Sequence, residues 1–106
     1  MNPTSLPAGA CDCHVHVYEE GFPVAPSAVS KPPHGPLAAY RQVQAQCGLE
    51  RVVLVQPTAY GFDNRCLLEA LAHVGEGARG IAVVAPDASD AELERLHQQF
   101  PPTAQR

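Results

Sequence analysis

Three stretches of the chain carry the hydrophobic pattern of strands: "ACDCHVHV" from Ala10 to Val17, "RVVLVQ" from Arg51 to Gln56 and "GIAVVA" from Gly80 to Ala85. The second and third are nearly unbroken apolar runs, the pattern of strands covered on both faces in a parallel sheet. Helical periodicity fills the intervals. Leu37, Tyr40, Val43 and Cys47 share a face behind Pro36, which suits a first helical position, and Gly48 follows as a stop. Asp63 or Asn64 can cap a second helix whose stripe is Leu67, Leu71 and Val74, ending at Gly75. Ser89 and Glu92 have capping-box spacing ahead of Leu93, Leu96 and Phe100. Strand then helix, three times over, predicts an α/β fold of three parallel βα units joined by right-handed crossovers. One connection is out of scale. Tyr18 to Pro36, "YEEGFPVAPSAVSKPPHGP", is proline-rich and aperiodic, and a loop of that length in a compact domain is usually functional or disordered.

Composition narrows the class. A length of 106 residues with 45% hydrophobic content suits one small domain with its own core. The net charge is -4 and the Lys and Arg residues are scattered singly, so there is no basic stripe for a phosphate backbone and nucleic acid is not an expected partner. The leader "MNPTSLPAGA" has neither a positive n-region nor a long apolar run. No window nears the ~18 apolar residues of a membrane span, so a soluble, cytoplasmic protein without a membrane partner is expected. The four cysteines have no disulfide-like or zinc-like spacing and are expected to be reduced.

Candidate chemistry concentrates in "CDCHVHV", Cys11 to Val17. On a regular strand Asp12, His14 and His16 point to one face and Cys13, Val15 and Val17 to the other, so the cysteines are not co-ligands of the histidines. A four-ligand zinc knuckle would need a turn there, and no Gly or Pro makes one. Two histidines near the carboxyl end of a first parallel strand can instead supply two ligands of an open metal site, at the end where active sites of such folds gather. An HxH on a strand also arises by chance, with both rings merely hydrogen-bonded in a polar core. The second strand adds to the picture: "VQPTAYGFDN" runs from an apolar strand into Gln56, Pro57, Thr58, Tyr60 and Gly61 on the rim that the histidines share. Asp63 has a plainer use there, as a helix cap.

"DCHVHV" at Asp12 to Val17, the proline-rich loop, and "GLERVVLVQPTAYGFDNRCLLEAL" at Gly48 to Leu71 together resemble the amidohydrolase-related (amidohydrolase 2) family, in the branch that includes 2-pyrone-4,6-dicarboxylate lactonase. The likeness runs from Cys11 to about Gln98 and implies the amino-terminal part of a TIM (β/α)₈ barrel, with residues 1–9 a disordered leader, 10–100 the partial barrel and 101–106 a tail. It further implies that His14 and His16 are catalytic or metal-binding, that Thr58 and Tyr60 contact substrate, and that the substrate is a small carboxylate-bearing molecule. Metal-dependent relatives imply a divalent metal such as Zn²⁺; the lactonase branch implies none.

A full barrel needs about 250 residues and eight strands. "FPPTAQR" stands where a fourth strand is due, no third histidine lies at a strand end, and the late-strand aspartate expected as general base has no counterpart. The expectation is a truncated or split lactone, ester or amide hydrolase, inactive alone, that self-associates or is completed by a complementing barrel fragment. The alternative is a small non-enzymatic flavodoxin-like or metal-binding α/β module whose histidines are structural.

Overall fold

The computed structural model describes residues 6–28 and 33–100. The tail 101–106 and the first five residues of the expected leader lie outside them. Residues 7–10 form a turn in which the Gly9 amide donates to Glu50 Oε1 at 2.6 Å and Arg51 Nε donates to the Gly9 carbonyl at 2.7 Å.

Three parallel strands, β1 (Cys11–Val15), β2 (Arg51–Val55) and β3 (Ala78–Ile81), are hydrogen-bonded in the order β1-β2-β3. Helices α1 (Leu37–Cys47), α2 (Arg65–Val74) and α3 (Asp90–Gln98) follow them in turn. Consecutive order is the wall of a (β/α)₈ barrel; a flavodoxin-like sheet would place β1 between β2 and β3. The chain is accordingly flat, 50 × 37 × 19 Å.

Alternation along β2 decides where the core lies. Val52 and Leu54 are each 1% exposed, whereas Val53 and Val55 are half-buried on the opposite side. Ala78 matches Val52 and Gly80 matches Leu54 in register, so these also face the helices. Leu71 of α2, fully buried, lies on Gly80 so closely that a Cβ there would stand 2.7 Å from Leu71 Cδ1. Cys66, Leu67, Ala70 and Leu71 bury the inner face of α2, and Val17, Leu37 and Tyr60 complete the cluster. Fully burying a leucine such as Leu67 or Leu71 contributes about 1.5–3 kcal/mol.

Two boundaries differ from the sequence pattern. β3 begins at Ala78 and ends at Ile81, where Gly80 to Ala85 was expected. The last ladder bond is Gln56 N–H to the Ile81 carbonyl; the next rung would bring the Val83 amide to β2, but that amide donates to Asn64 Oδ1 at 3.2 Å instead, so the apolar residues beyond Ile81 leave the sheet. Pro36 occupies the cap position of α1 rather than its first turn. Its missing cap is supplied from a distance: Glu19 Oε2 accepts from the Leu37 amide at 2.8 Å, placing a carboxylate at the positive helix end. Ser89 and Glu92 form the reciprocal capping box as expected.

The far side is open. Ile81, Val83, Val84 and Leu93 are all exposed, and α3 buries none of its residues. Among the described residues no helix is long and apolar enough to cross a membrane.

Candidate active site

The strand ends that carry the candidate residues are irregular. Asp12 pairs with Val52 and Val15 pairs with Leu54, so two residues of β1, Cys13 and His14, stand opposite Val53 alone. That is a β-bulge. Laterally matched residues of parallel strands face the same way, so Asp12 and Val15 both turn toward the helices, while Cys13 and His14 lie on the open side. Strict alternation across the heptad, with Asp12 beside the histidines and Cys13 beside the valines, is therefore corrected. The Asp12 carboxylate reaches α1, where Oδ2 accepts from the Tyr40 hydroxyl at 2.9 Å.

His14 and His16 come together on the open side. Both are exposed, their ring centroids are 5.0 Å apart, and the rings are perpendicular. His16 Nδ1 lies 2.9 Å from the Val55 carbonyl oxygen. A carbonyl only accepts, so Nδ1 carries the proton and Nε2 is left with a lone pair in the neutral ring or an N–H in the imidazolium. The end of β2 thus fixes the tautomer of a histidine on β1.

Thr58 and Tyr60 bound a short helical turn, Thr58–Tyr60, directly after β2. Thr58 is exposed. Tyr60 is 3% exposed, and its hydroxyl donates to the Glu19 carbonyl at 3.2 Å. Burial pushes its phenol up from the ordinary value. Tyr18 and Phe22 pack on its ring at 5.9 and 6.3 Å. Both Thr58 and Tyr60 line an open groove of about 670 Å³ that the proline-rich loop walls with Pro23, Val24, Ala25 and Pro26. The structure brings Thr58 and Tyr60 to one groove and His14 and His16 to one patch; the histidines do not line that groove.

Two side chains hold the rim in shape. Gln56, 3% exposed, donates through Nε2 to the Gly61 carbonyl at 3.0 Å and the Asp63 carbonyl at 2.8 Å. Asn64, 8% exposed, donates to the Phe62 and Val83 carbonyls and accepts from the Val83 amide, tying the loop after β2 to the segment after β3. Asn64 stands at the α2 cap position without capping it; Asp63 Oδ1 accepts from the Arg65 amide at 3.2 Å. Asp63 also pairs with the Arg65 guanidinium at 2.7 Å, which holds its carboxyl below the usual range. It is thus engaged at the helix start. Glu19 had no signal in the sequence beyond lying in the long loop, and its two roles appear only when that loop folds back.

A catalytic zinc normally keeps three protein ligands. His14 and His16 supply two, and among the described residues no group of three or more His, Cys, Asp or Glu could hold a metal ion. The donor set present does not fit such a metal by itself.

The fold is that of part of a TIM-barrel wall, and residues 11–101 match the family model described as amidohydrolase: the chain belongs to that family. It is 43% identical over 94 residues to a 2-pyrone-4,6-dicarboxylate hydrolase of Comamonas testosteroni, covering 87% of this chain and 31% of that protein. It is 32% identical over 98 residues to a D-galactarolactone isomerase of Agrobacterium fabrum, covering 90% and 33%. A solved structure of a probable 2-pyrone-4,6-dicarboxylic acid hydrolase from Acinetobacter baumannii, with citric acid bound, superposes with a TM-score of 0.81 at 26% identity, covering 88% and 35%. The chain spans about a third of the length of these relatives.

Proposed function

We propose that these three βα units supply the first-strand histidines and the substrate-orienting rim of a hydrolase acting on a lactone, or another ester or amide, of a small carboxylate-bearing molecule. The observation that carries this reading is the exposed His14–His16 pair at the carboxyl end of β1, with His16 Nδ1 committed to Val55. Protonated, His16 offers an Nε2–H to a substrate carbonyl oxygen and stabilises the charge that develops there when water attacks. Neutral, it offers a lone pair, as His14 can, to a divalent metal such as Zn²⁺ once further ligands are brought to it. Thr58 orients substrate through its hydroxyl, and Tyr60, which also lines the groove, shapes the surface the substrate meets. The hydrolase and isomerase among the relatives both carry lactone or pyrone chemistry in their names, which supports the substrate class.

Attack by water also needs a base, and groups that act as a unit fail together when one is missing. The described residues place no carboxylate beside the histidine pair, since Asp12 faces Tyr40 and Asp63 faces Arg65. The 106 residues alone are therefore proposed to be silent in catalysis. The remaining βα units pack on the exposed edge of β3 and on Ile81, in the form of a polypeptide that carries them or, without one, another copy of this chain. Four free cysteines fit a reducing compartment, the cytoplasm.

The test joins residues 11–98 to strands 4 to 8 of the Comamonas relative. Turnover of 2-pyrone-4,6-dicarboxylate should appear in the fusion, fall with His14→Ala or His16→Ala, and be absent from the unfused chain. Steady turnover by the unfused chain, abolished by His14→Ala, would instead mean that the three units hold their own base. A fusion that folds yet turns over unchanged with both histidines replaced would remove them from the reaction.

A further inference from the structure

The bulge in β1 is what lets a helix-facing Asp12 and two outward histidines share one strand. Given that Asp12 is matched with Val52 on the helix side, an unbulged strand would match His14 with Leu54 and carry His16 to the helix side as well. Leu54 is 1% exposed and packed under the helices, so both rings would be driven into the core. The extra residue reverses the phase: Val15 takes the place opposite Leu54, and His14 and His16 emerge on the open side.

Two forces set the position of that reversal. Downstream, Val17 is 5% exposed in the core and His16 is bonded to Val55, so the end of the strand is fixed by burial. Upstream there is no comparable apolar anchor, because Cys11 and Asp12 are only partly buried. What keeps a carboxylate on the helix side is a single contact, the Tyr40 hydroxyl on Asp12 Oδ2 at 2.9 Å. Burial, and next the Asp12 carboxylate, push the Tyr40 phenol above its ordinary range, so it remains a donor. Without that donor, an ionised side chain facing the helix layer is better solvated on the open side. Turning Asp12 outward restores plain alternation from Asp12 to His16 and removes the bulge. His14, one of the two bulged residues, then takes a regular strand backbone while remaining on the open side, so its ring is set differently against His16, whose own backbone need not change.

We propose that Asp12, latched by Tyr40, is a positioning residue for His14: the latch holds the β1 bulge, and the bulge sets the edge-to-face geometry of the His14–His16 pair. Its catalytic consequence rests on the hydrolase reading above, but its geometric content does not.

The experiment uses the full chain with ¹⁵N-labelled histidine. In the parent protein, ring-to-ring NOEs should connect His14 and His16, and His16 should show a protonated Nδ1. Tyr40→Phe, which removes one oxygen, should change the pattern of His14–His16 ring NOEs and shift the His14 ring resonances while His16 keeps its Nδ1 proton. Asp12→Ala should do the same. Asp12→Asn keeps an oxygen that accepts from Tyr40 and should retain the NOEs. In the fusion with strands 4 to 8, Tyr40→Phe should lower kcat by about tenfold with KM within about twofold, the scale seen when a residue that orients a reacting group is removed.

Unchanged NOEs in Tyr40→Phe would overturn the proposal, as would an Asp12→Asn variant that behaves like Asp12→Ala. If Asp12→Ala does not fold, Tyr40→Phe and Asp12→Asn decide between them. A latch that governs the NOEs in a fusion that never turns over would leave this inference standing and sink the hydrolase reading alone.

Discussion

Helices α2 and α3 are nearly equal in length, ten and nine residues, and are held by opposite means. The cap residue of α2 makes no side-chain cap bond, yet four α2 residues are buried against the sheet. Helix α3 has a complete capping box and buries nothing. The first helix exists because tertiary packing requires it; the second exists because its first turn is satisfied locally. Nine residues is short for a helix with no packed face, so the capping box contributes a large share of what keeps α3 formed. The same contrast separates the two sides of the sheet, one closed over Val52 and Leu54, the other open at Ile81.

The contrast can be broken at its strongest point first. Leu71→Ala should cost about 2–5 kcal/mol, the range for emptying a fully buried leucine site, read as a fall in the urea midpoint at fixed protein concentration together with lost amide protection throughout α2. Adding Gly80→Ala to that variant should recover part of the loss, since the new methyl occupies the space that Leu71 Cδ1 vacates, whereas Gly80→Ala alone should destabilise.

Asn64→Ala comes next. It strips the partners from the Val83 amide and two carbonyls, at a cost of about 1–3 kcal/mol, and amide exchange should quicken on both sides of the staple, at Phe62 and at Val83. Ser89→Ala should cost about 1 kcal/mol and be confined to α3, leaving α2 protection unaltered. If α2 amides respond equally, α3 is not the independent element described above.

Leu93→Ala should stay within about 0.5 kcal/mol because the side chain is already 42% exposed. A loss on the scale of Leu71 would mean that a partner covers this face of α3 in solution, and sedimentation of the same samples would identify a second copy.

The smallest effect is on acidification. Arg65 holds the Asp63 carboxyl below its ordinary value, and the Ser89 amide does the same for Glu92. Depressed carboxyl groups stabilise the fold above their ordinary range, and that contribution is lost as pH falls through the folded-state values. Both helix starts should therefore fray below about pH 4. Circular dichroism along an acid titration should show this, with Arg65→Ala flattening the α2 part and Glu92→Gln the α3 part. These are exposed groups, so the signal is slight and shrinks with added salt.

Much of this architecture was legible in the chain. The unbroken run of β2, the stripe of α2 and the Ser89–Glu92 spacing each specify an element through local chemistry, and all three formed. What was hidden depended on residues distant in sequence. The end of β3 falls where the Asn64 side chain takes the Val83 amide, the cap of α1 comes from Glu19, and the direction of Asp12 depends on a phenol on α1. The histidine pair was readable as a pair but not in its tautomer, which a backbone carbonyl of β2 determines. Alternation was the wrong guide at Cys13 because a bulge depends on inter-strand register, to which a single strand's sequence gives no access.

The proline-rich connection is closed at its base, where the Tyr18 amide donates to the Gly35 carbonyl at 2.8 Å, and the Ala25 amide ties its first half to Ala59. A loop clasped at both ends shares few degrees of freedom with the sheet beneath it. Its length can change at a closure cost that grows only logarithmically, about 0.6 kcal/mol for each doubling. Insertions and deletions between Ala28 and Gly35 should therefore be among the cheapest changes the chain can accept, leaving the groove walls at Pro23 to Ser27 and the strands that present His14 and His16 in place.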